Sequence, residues 1–266
     1  MKIKIINLKI GITEFYFEKS TQNFIKGEIL LVHGANHGAW CWKNFMNRFS
    51  EEGYNVYALN LFNHGRSEKK KFITMSMYKE QLNEFIQAMK INPIIIAHST
   101  GGMIAQMLID AYPDIYKYCI LMSSVSPNGM KNDFKITKMC YFKETIRLVM
   151  FNYKLSKQFP YKLFFYSDIG KNFMELYIPE PILICFETFE KFCYKRKKRI
   201  MIIGSKLDKI ISYKTCIKTS QYYDSECIIL NHIGHDMMLD RGWEYVAEKI
   251  ISYLEHISEE SYPKSN

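Results

Sequence analysis

The sequence predicts an α/β fold: a mostly parallel central sheet with helices on both faces, and a helical cap inserted between two of its strands. Three observations carry this. Apolar runs of strand length alternate with helical patterns from Glu28 to Met122, with short connections. The alternation stops at Pro127-Asn128-Gly129 and resumes at Ile200. Between them, up to about residue 180, the chain has no buried-strand pattern and is rich in aromatics and methionine.

The elements follow in order. Lys2–Ile5 and Thr13–Glu18 alternate apolar and polar residues, the pattern of half-buried strands, with Gly11 between them. Glu28–Val32 is continuously apolar after Glu28, as a strand covered on both faces must be. It ends in His33-Gly34-Ala35-Asn36-His37-Gly38, and a helix is predicted from Trp40 to Glu52, closed by Gly53. Asn55–Leu59 is a strand, residues 75–90 an amphipathic helix, and Pro93 starts the strand that leads to Ser99. A helix then runs to Tyr112, and Tyr118–Met122 is the next strand. After the cap, a helix is predicted from about 181 to Arg199, then the strand Ile200–Ile203, a helix near 212–223, the strand Cys227–Leu230 and a last helix, Trp243–His256. The expected organisation is core over 1–126, cap over 127–180, core over 181–260 and a polar tail over 261–266.

A chain of 266 residues suits one such domain with an insertion. Hydrophobic residues at 48% and charged residues at 24% are ordinary for a globular protein. No apolar run is long enough to span a membrane. Met1–Ile5 lacks a signal-peptide core, so the expected location is cytoplasmic. The seven cysteines, 41, 119, 140, 185, 193, 216 and 227, are odd in number and form no CxxC pair; reduced, mostly buried thiols are expected. The net charge is +9, and Lys195-Arg196-Lys197-Lys198-Arg199 is a basic run. With no nucleic-acid motif beside it, it reads as a solvated turn into the next strand, and no nucleic-acid partner is expected.

The chemistry centres on Pro93–Ala105. An apolar strand ends at His98-Ser99, glycines follow at 101 and 102, and a helical pattern begins. Strand, abrupt turn and helix with a serine at the turn is a nucleophile elbow. Small residues at 97 and 101 let the backbone fold back without a Cβ clash. The usual motif has glycine where Ala97 stands. The competing reading of Ser99 alone is a helix N-cap.

In an open parallel sheet the loops at the carboxyl ends of the strands share one edge. Here those loops carry His33-Gly34-Ala35, Ser99-Thr100, Asp208 and His235. A serine needs a base, a histidine serves as one near neutral pH, and a carboxylate orients the imidazole and stabilises its charged form. Ser99, Asp208 and His235 are therefore the catalytic candidates. The backbone amides of Ala35 and Thr100 are the candidate oxyanion donors. Asp224, Asp236 and Asp240 are rival acids; Asp236 is disfavoured because adjacent side chains rarely face one another. His232 is the rival base. His33 and His98 are expected to hydrogen-bond within their loops, and His37 and His98 are candidates at the pocket. There is no HExxH, and no metal or other cofactor is expected.

Taken together, these segments resemble the α/β-hydrolases over nearly the whole chain. Leu30 to Trp42 is similar to the first-turn segment of the methylesterase and hydroxynitrile lyase branch. Asn60-Leu61-Phe62-Asn63-His64-Gly65-Arg66-Ser67 resembles that superfamily's Asp-Leu-Pro-Gly-His-Gly-Arg-Ser turn, departing at Asn60, Phe62 and Asn63. The resemblance implies ester or thioester hydrolysis through an acyl-enzyme, on a small or apolar acyl substrate. Lyases of the branch have a lysine after the catalytic histidine and a threonine at the place of Gly34; this chain has Asp236 and Gly34, which favours hydrolysis. A cyanohydrin-type lyase and a non-catalytic small-ligand binder are the alternatives.

Overall fold

The structure, a computed structural model, describes residues 1–192 and 199–261. Cys193, Lys195–Lys198 of the basic run, and residues 262–266 of the tail lie outside the described residues. Eight strands form one sheet: β1 (Lys2–Leu8), β2 (Gly11–Glu18), β3 (Gly27–Val32), β4 (Tyr54–Leu59), β5 (Ile94–His98), β6 (Cys119–Met122), β7 (Ile200–Ser205) and β8 (Glu226–Leu230). Their order is β1-β2-β4-β3-β5-β6-β7-β8. The β1–β2 and β2–β4 pairs are antiparallel; every pair from β4 through β3 to β8 is parallel. Gly11 is not a linker but the first residue of β2, paired with Leu8.

The topology explains where the site lies. From β3 the chain crosses one way to β4, then back past β3 to β5 and onward to β6. Right-handed crossovers therefore put α1 (Lys43–Glu51) on one face, and α2 (Met75–Met89) and α3 (Thr100–Ala111) on the other. The pairing of α2 with α3, and of α1 with α9 (Trp243–Ser261), agrees with that division. The reversal of direction falls between β3 and β5, and the loops leaving those strands diverge around a crevice. Ile29–Val32, Ile95–Ala97 and Cys119–Met122 are fully buried, which is what their unbroken apolar runs require.

Three helices differ from the sequence-based expectation. The segment read as one helix from Trp40 begins as a 3-10 turn, Ala39–Trp42, before α1. There the Cys41 N–H donates to Gly38 O at 3.1 Å and the Ala39 N–H to Asn60 Oδ1 at 2.7 Å, which tightens the turn. The helix read over 181–199 is only α7 (Ile182–Glu187). Beyond it the Met130 N–H donates to Thr188 O at 3.0 Å and the Phe192 N–H to Pro127 O at 2.8 Å, drawing the chain back along the start of the insertion. At the other end α9 runs past His256 to Ser261, because polarity alone does not end a helix.

Between β6 and β7 lie α4 (Lys131–Cys140), α5 (Phe142–Asn152), α6 (Tyr161–Phe164), a 3-10 segment (Asp168–Leu176) and α7. They stand over the carboxyl edge of the sheet. The remaining helix, α8 (Tyr213–Tyr223), packs on β7 and β8 and is capped by the Ser212 side chain. The cysteines at 41, 119, 140, 185, 216 and 227 are free thiols, with Cys140 exposed.

Candidate active site

Ser99 joins β5 to α3 with φ 52° and ψ −121°, a left-handed conformation that a non-glycine residue adopts only where its surroundings enforce it. Those surroundings are visible. The Ser99 N–H donates to Met122 O at 3.1 Å, and Ser99 O accepts from the Gly102 and Val125 amides at 3.0 and 3.1 Å. Glycine is required at 101, since a Cβ there would lie 2.3 Å from the His33 carbonyl oxygen. Ala97, in the place usually held by glycine, is wholly buried in β5.

The loop after β8 brings His235 to this turn. Its Nε2 accepts from Ser99 Oγ at 3.0 Å, and its Nδ1–H donates to Asp208 Oδ2 at 2.8 Å. Asp208 Oδ1 accepts the Ile210 and Ile211 amides at 2.7 and 2.9 Å, which fixes the carboxylate. Burial alone would lower the His235 pKa; the Asp208 carboxylate against it outweighs that and raises it. The rivals lie elsewhere. Asp224 caps α8, Asp240 accepts the Gly234 and Tyr166 amides, and His232 is solvent-exposed.

The loop after β3 is held from several sides. The His33 Nδ1–H donates to Gly34 O at 2.9 Å while its Nε2 accepts from the Leu61 N–H at 3.1 Å, so this ring is neutral with one defined tautomer. Burial, helped by His64, pushes His33 well below the usual histidine range, in keeping with that state. Gly34 O belongs to the same peptide unit as the Ala35 N–H, so His33 orients that amide. Among the described residues neither the Ala35 nor the Thr100 N–H has a hydrogen-bond partner, and both residues border the cavity beside Ser99.

Neither His37 nor His98, expected as candidates at the pocket, is among the residues lining that cavity; both are buried beneath it. His98 Nε2–H donates to the His235 carbonyl at 3.0 Å and so anchors His235 from behind. His37 lies between two acceptors, Asp236 Oδ2 at 3.0 Å and Ala35 O at 2.6 Å. Tyr177 OH also donates to Asp236 Oδ2, at 2.5 Å. Burial alone would raise the Asp236 carboxyl; His37 outweighs this and holds it below its ordinary value. The ligand atoms of His37, His98 and Asp236 lie within 4.8 Å of one another, as a metal site would need. Here the hydrogen bonds to Tyr177, Ala35 and the His235 carbonyl account for their arrangement as a tie between loops.

Sequence reasoning missed Glu180. This carboxylate is 3% exposed and borders the cavity. It accepts the Asn36 N–H at 2.9 Å and Tyr78 OH at 3.3 Å, and meets His64 Nε2 at 3.2 Å. The Ile178 N–H donates to Asn36 O at 3.0 Å, so the insertion is stitched to the loop after β3 by backbone as well. The available signal was the triplet Pro179-Glu180-Pro181, a lone acid on a stiff extended segment.

The cavity encloses about 360 Å³. Ser99, Thr100, Ala35 and His235 are at its polar end; Phe134, Leu148, Phe164, Ile184 and Phe189 supply apolar wall. A cavity of about 480 Å³ lies behind the Asp208 loop and does not include Ser99 or His235 among its lining residues.

A family model described as the alpha/beta hydrolase fold matches residues 28–139. The chain is 32% identical over 104 residues to norfluorocurarine synthase 2 of a Strychnos species, covering 38% of this chain and 39% of that protein. It is 31% identical over 114 residues to methyl jasmonate esterase 1 of Vitis vinifera, covering 41% of this chain and 42% of that protein. The chain thus spans about two fifths of the length of the curated relatives it matches. Among solved structures, an esterase from Exiguobacterium antarcticum superposes with a TM-score of 0.75 at 16% identity, over 95% of this chain and 99% of that one.

Proposed function

We propose that this chain, whose fold is that of the α/β-hydrolases, hydrolyses carboxylic esters of small, apolar acyl groups through a serine-bound acyl intermediate. The observation that carries this is the continuous relay from Ser99 through His235 to Asp208, at 3.0 and 2.8 Å. As Ser99 Oγ attacks the ester carbonyl, its proton passes to His235 Nε2. Asp208 stabilises the resulting imidazolium. The carbonyl oxygen becomes an oxyanion, and the Ala35 and Thr100 amides are the donors for it. Collapse breaks the bond to the leaving alkoxide, which takes the proton from His235. Water then attacks the acyl-enzyme with His235 again as base, releasing the acid and restoring the serine.

The size of the cavity and its apolar wall support a compact acyl or aryl group. Residues 127–180 act as the cap that selects it, with α7 completing the wall. The names of the methyl jasmonate esterase and of the bacterial esterase point to the same reaction class. A lyase is the weaker reading. Asp236, where a lyase of the branch has lysine, is turned onto His37 and Tyr177 and does not line the cavity.

Fluorophosphonate labelling followed by peptide mapping tests the assignment, together with a panel of p-nitrophenyl esters of graded acyl length. Modification at Ser99, lost in Ser99→Ala along with turnover, is expected. Undiminished labelling or turnover in Ser99→Ala would remove this serine from the chemistry.

A further inference from the structure

The helices over the cavity face the wrong way for a part that meets only water. Among the described residues, fourteen of the twenty-three exposed large apolar side chains lie between Ile136 and Phe186. On α5 they follow the helical period: Phe142, Ile146, Val149, Met150 and Tyr153 are spaced as one face of a helix, and this face is exposed at 58, 39, 39, 39 and 53%. An amphipathic helix normally turns such a stripe into the core. Here the inward side carries Thr145, Leu148, Phe151 and Asn152. Phe186 on α7, at 59%, lines the same cavity mouth as Val149 and Tyr153, and Met139 on α4 is exposed at 74%.

Two features say what covers it. Between Lys131 and Lys157 the chain carries seven Lys or Arg and two acids, Asp133 and Glu144. Asp133 is buried and bonded to Ser212 and Thr215. Lys143 and Arg147 are spaced one turn apart on α5, next to the stripe. An apolar face bordered by cations matches an anionic lipid surface, with acyl chains beneath and phosphates above. The stripe is also continuous with the cavity: Val149, Tyr153, Ile182 and Phe186 are both exposed and part of the cavity wall.

We propose that the outer face of α4, α5 and α7 docks this protein on an anionic membrane, with the mouth of the Ser99 cavity turned toward the lipid. No helix among the described residues is long and apolar enough to cross a membrane, so the attachment is interfacial. The proposal goes beyond the hydrolase assignment and does not need Ser99 to react.

Co-sedimentation of the full chain with vesicles tests it. Binding to phosphatidylcholine vesicles containing phosphatidylglycerol is expected, with little on phosphatidylcholine alone and loss in high salt. Phe142→Ser, Ile146→Ser and Met150→Ser together should weaken binding at least roughly tenfold. Lys143→Ala with Arg147→Ala should weaken it roughly twenty-five-fold, about fivefold for each charge removed. None of these residues lines the cavity, so turnover of a water-soluble ester and the circular dichroism spectrum should be unchanged. Wild-type protein that stays in solution with both vesicle types, or triple-variant protein that binds as before, overturns the proposal. So does a dimer in solution that the same triple variant dissociates, since the face would then belong to a second copy.

Discussion

Glu180 Oε2 accepts the backbone N–H of Asn36 at 2.9 Å across 144 positions of sequence, joining the insertion to the loop that presents Ala35. Asn36 has φ 67°, a conformation that its side-chain bonds to Asn152 Oδ1 and Ile178 O help to hold. The amide proposed to bind the oxyanion is therefore set partly from outside the sheet. Glu180→Gln keeps the shape but loses the charged acceptor; kcat is expected to fall roughly tenfold, with KM little changed. Glu180→Ala leaves Asn36 N–H, Tyr78 OH and His64 facing an unfilled space and should cost about 2–4 kcal/mol in urea unfolding. A Glu180→Gln enzyme with wild-type kcat and altered KM would make this residue a substrate contact instead.

The state of His235 dictates the pH dependence. The proposed reaction needs the neutral ring, and Asp208 raises the pKa against the effect of burial. The acid limb of kcat/KM is thus expected above the ordinary histidine value near 6.5, with activity rising through it. Asp208→Asn removes the cause: the limb should move to lower pH and kcat should fall by roughly 10⁴. For stability the signs are opposite for the two buried groups. The raised His235 contributes fully below its unfolded value, and that contribution is lost as pH climbs through the folded one. The lowered Asp236 contributes above its unfolded value and loses its contribution as pH falls through the folded one. Titration followed by NMR of the His235 ring checks both the limb and its displacement in Asp208→Asn.

Gly101 has no room to change. A Cβ would sit 2.3 Å from His33 O and 2.8 Å from Val32 O, both backbone atoms. Gly101→Ala must push α3 from β3, and about 1–3 kcal/mol of stability should be lost. Because α3 starts at Thr100, the amide geometry moves with it, so activity should fall further than thermal denaturation accounts for. Gly242→Ala is the control: nothing lies within 4 Å, and its φ of 88° makes strain the sole cost.

The apolar wall should set acyl length. Leu148 faces the cavity from α5, and Leu148→Phe narrows a space of about 360 Å³. The preferred p-nitrophenyl ester is expected to shorten by two or so carbons, with kcat on acetate retained. An unchanged chain-length profile would place the acyl group elsewhere.

Strand identity was legible because β3, β5, β6 and β7 are buried on both faces, and a short unbroken apolar run between turns fits few elements besides a covered strand. The chain order of Ser99, Asp208 and His235 followed from the same runs, since each side chain stands just past one. Their approach to within 3.0 Å is a matter of tertiary structure. It depends on how far the sheet twists and where the loops after β7 and β8 turn. Asp236 shows the limit in both directions. Adjacency to His235 argued that it would face away, and it does, but its partners His37 and Tyr177 come from distant segments that no local pattern links. The same holds for Glu180. For the insertion only its richness in aromatics and methionine was legible; that α5 gathers Phe142, Ile146 and Met150 on one exposed face was not. Periodicity says which side chains share a face. Whether that face meets a core, a cavity or water is decided by what the rest of the chain has already covered.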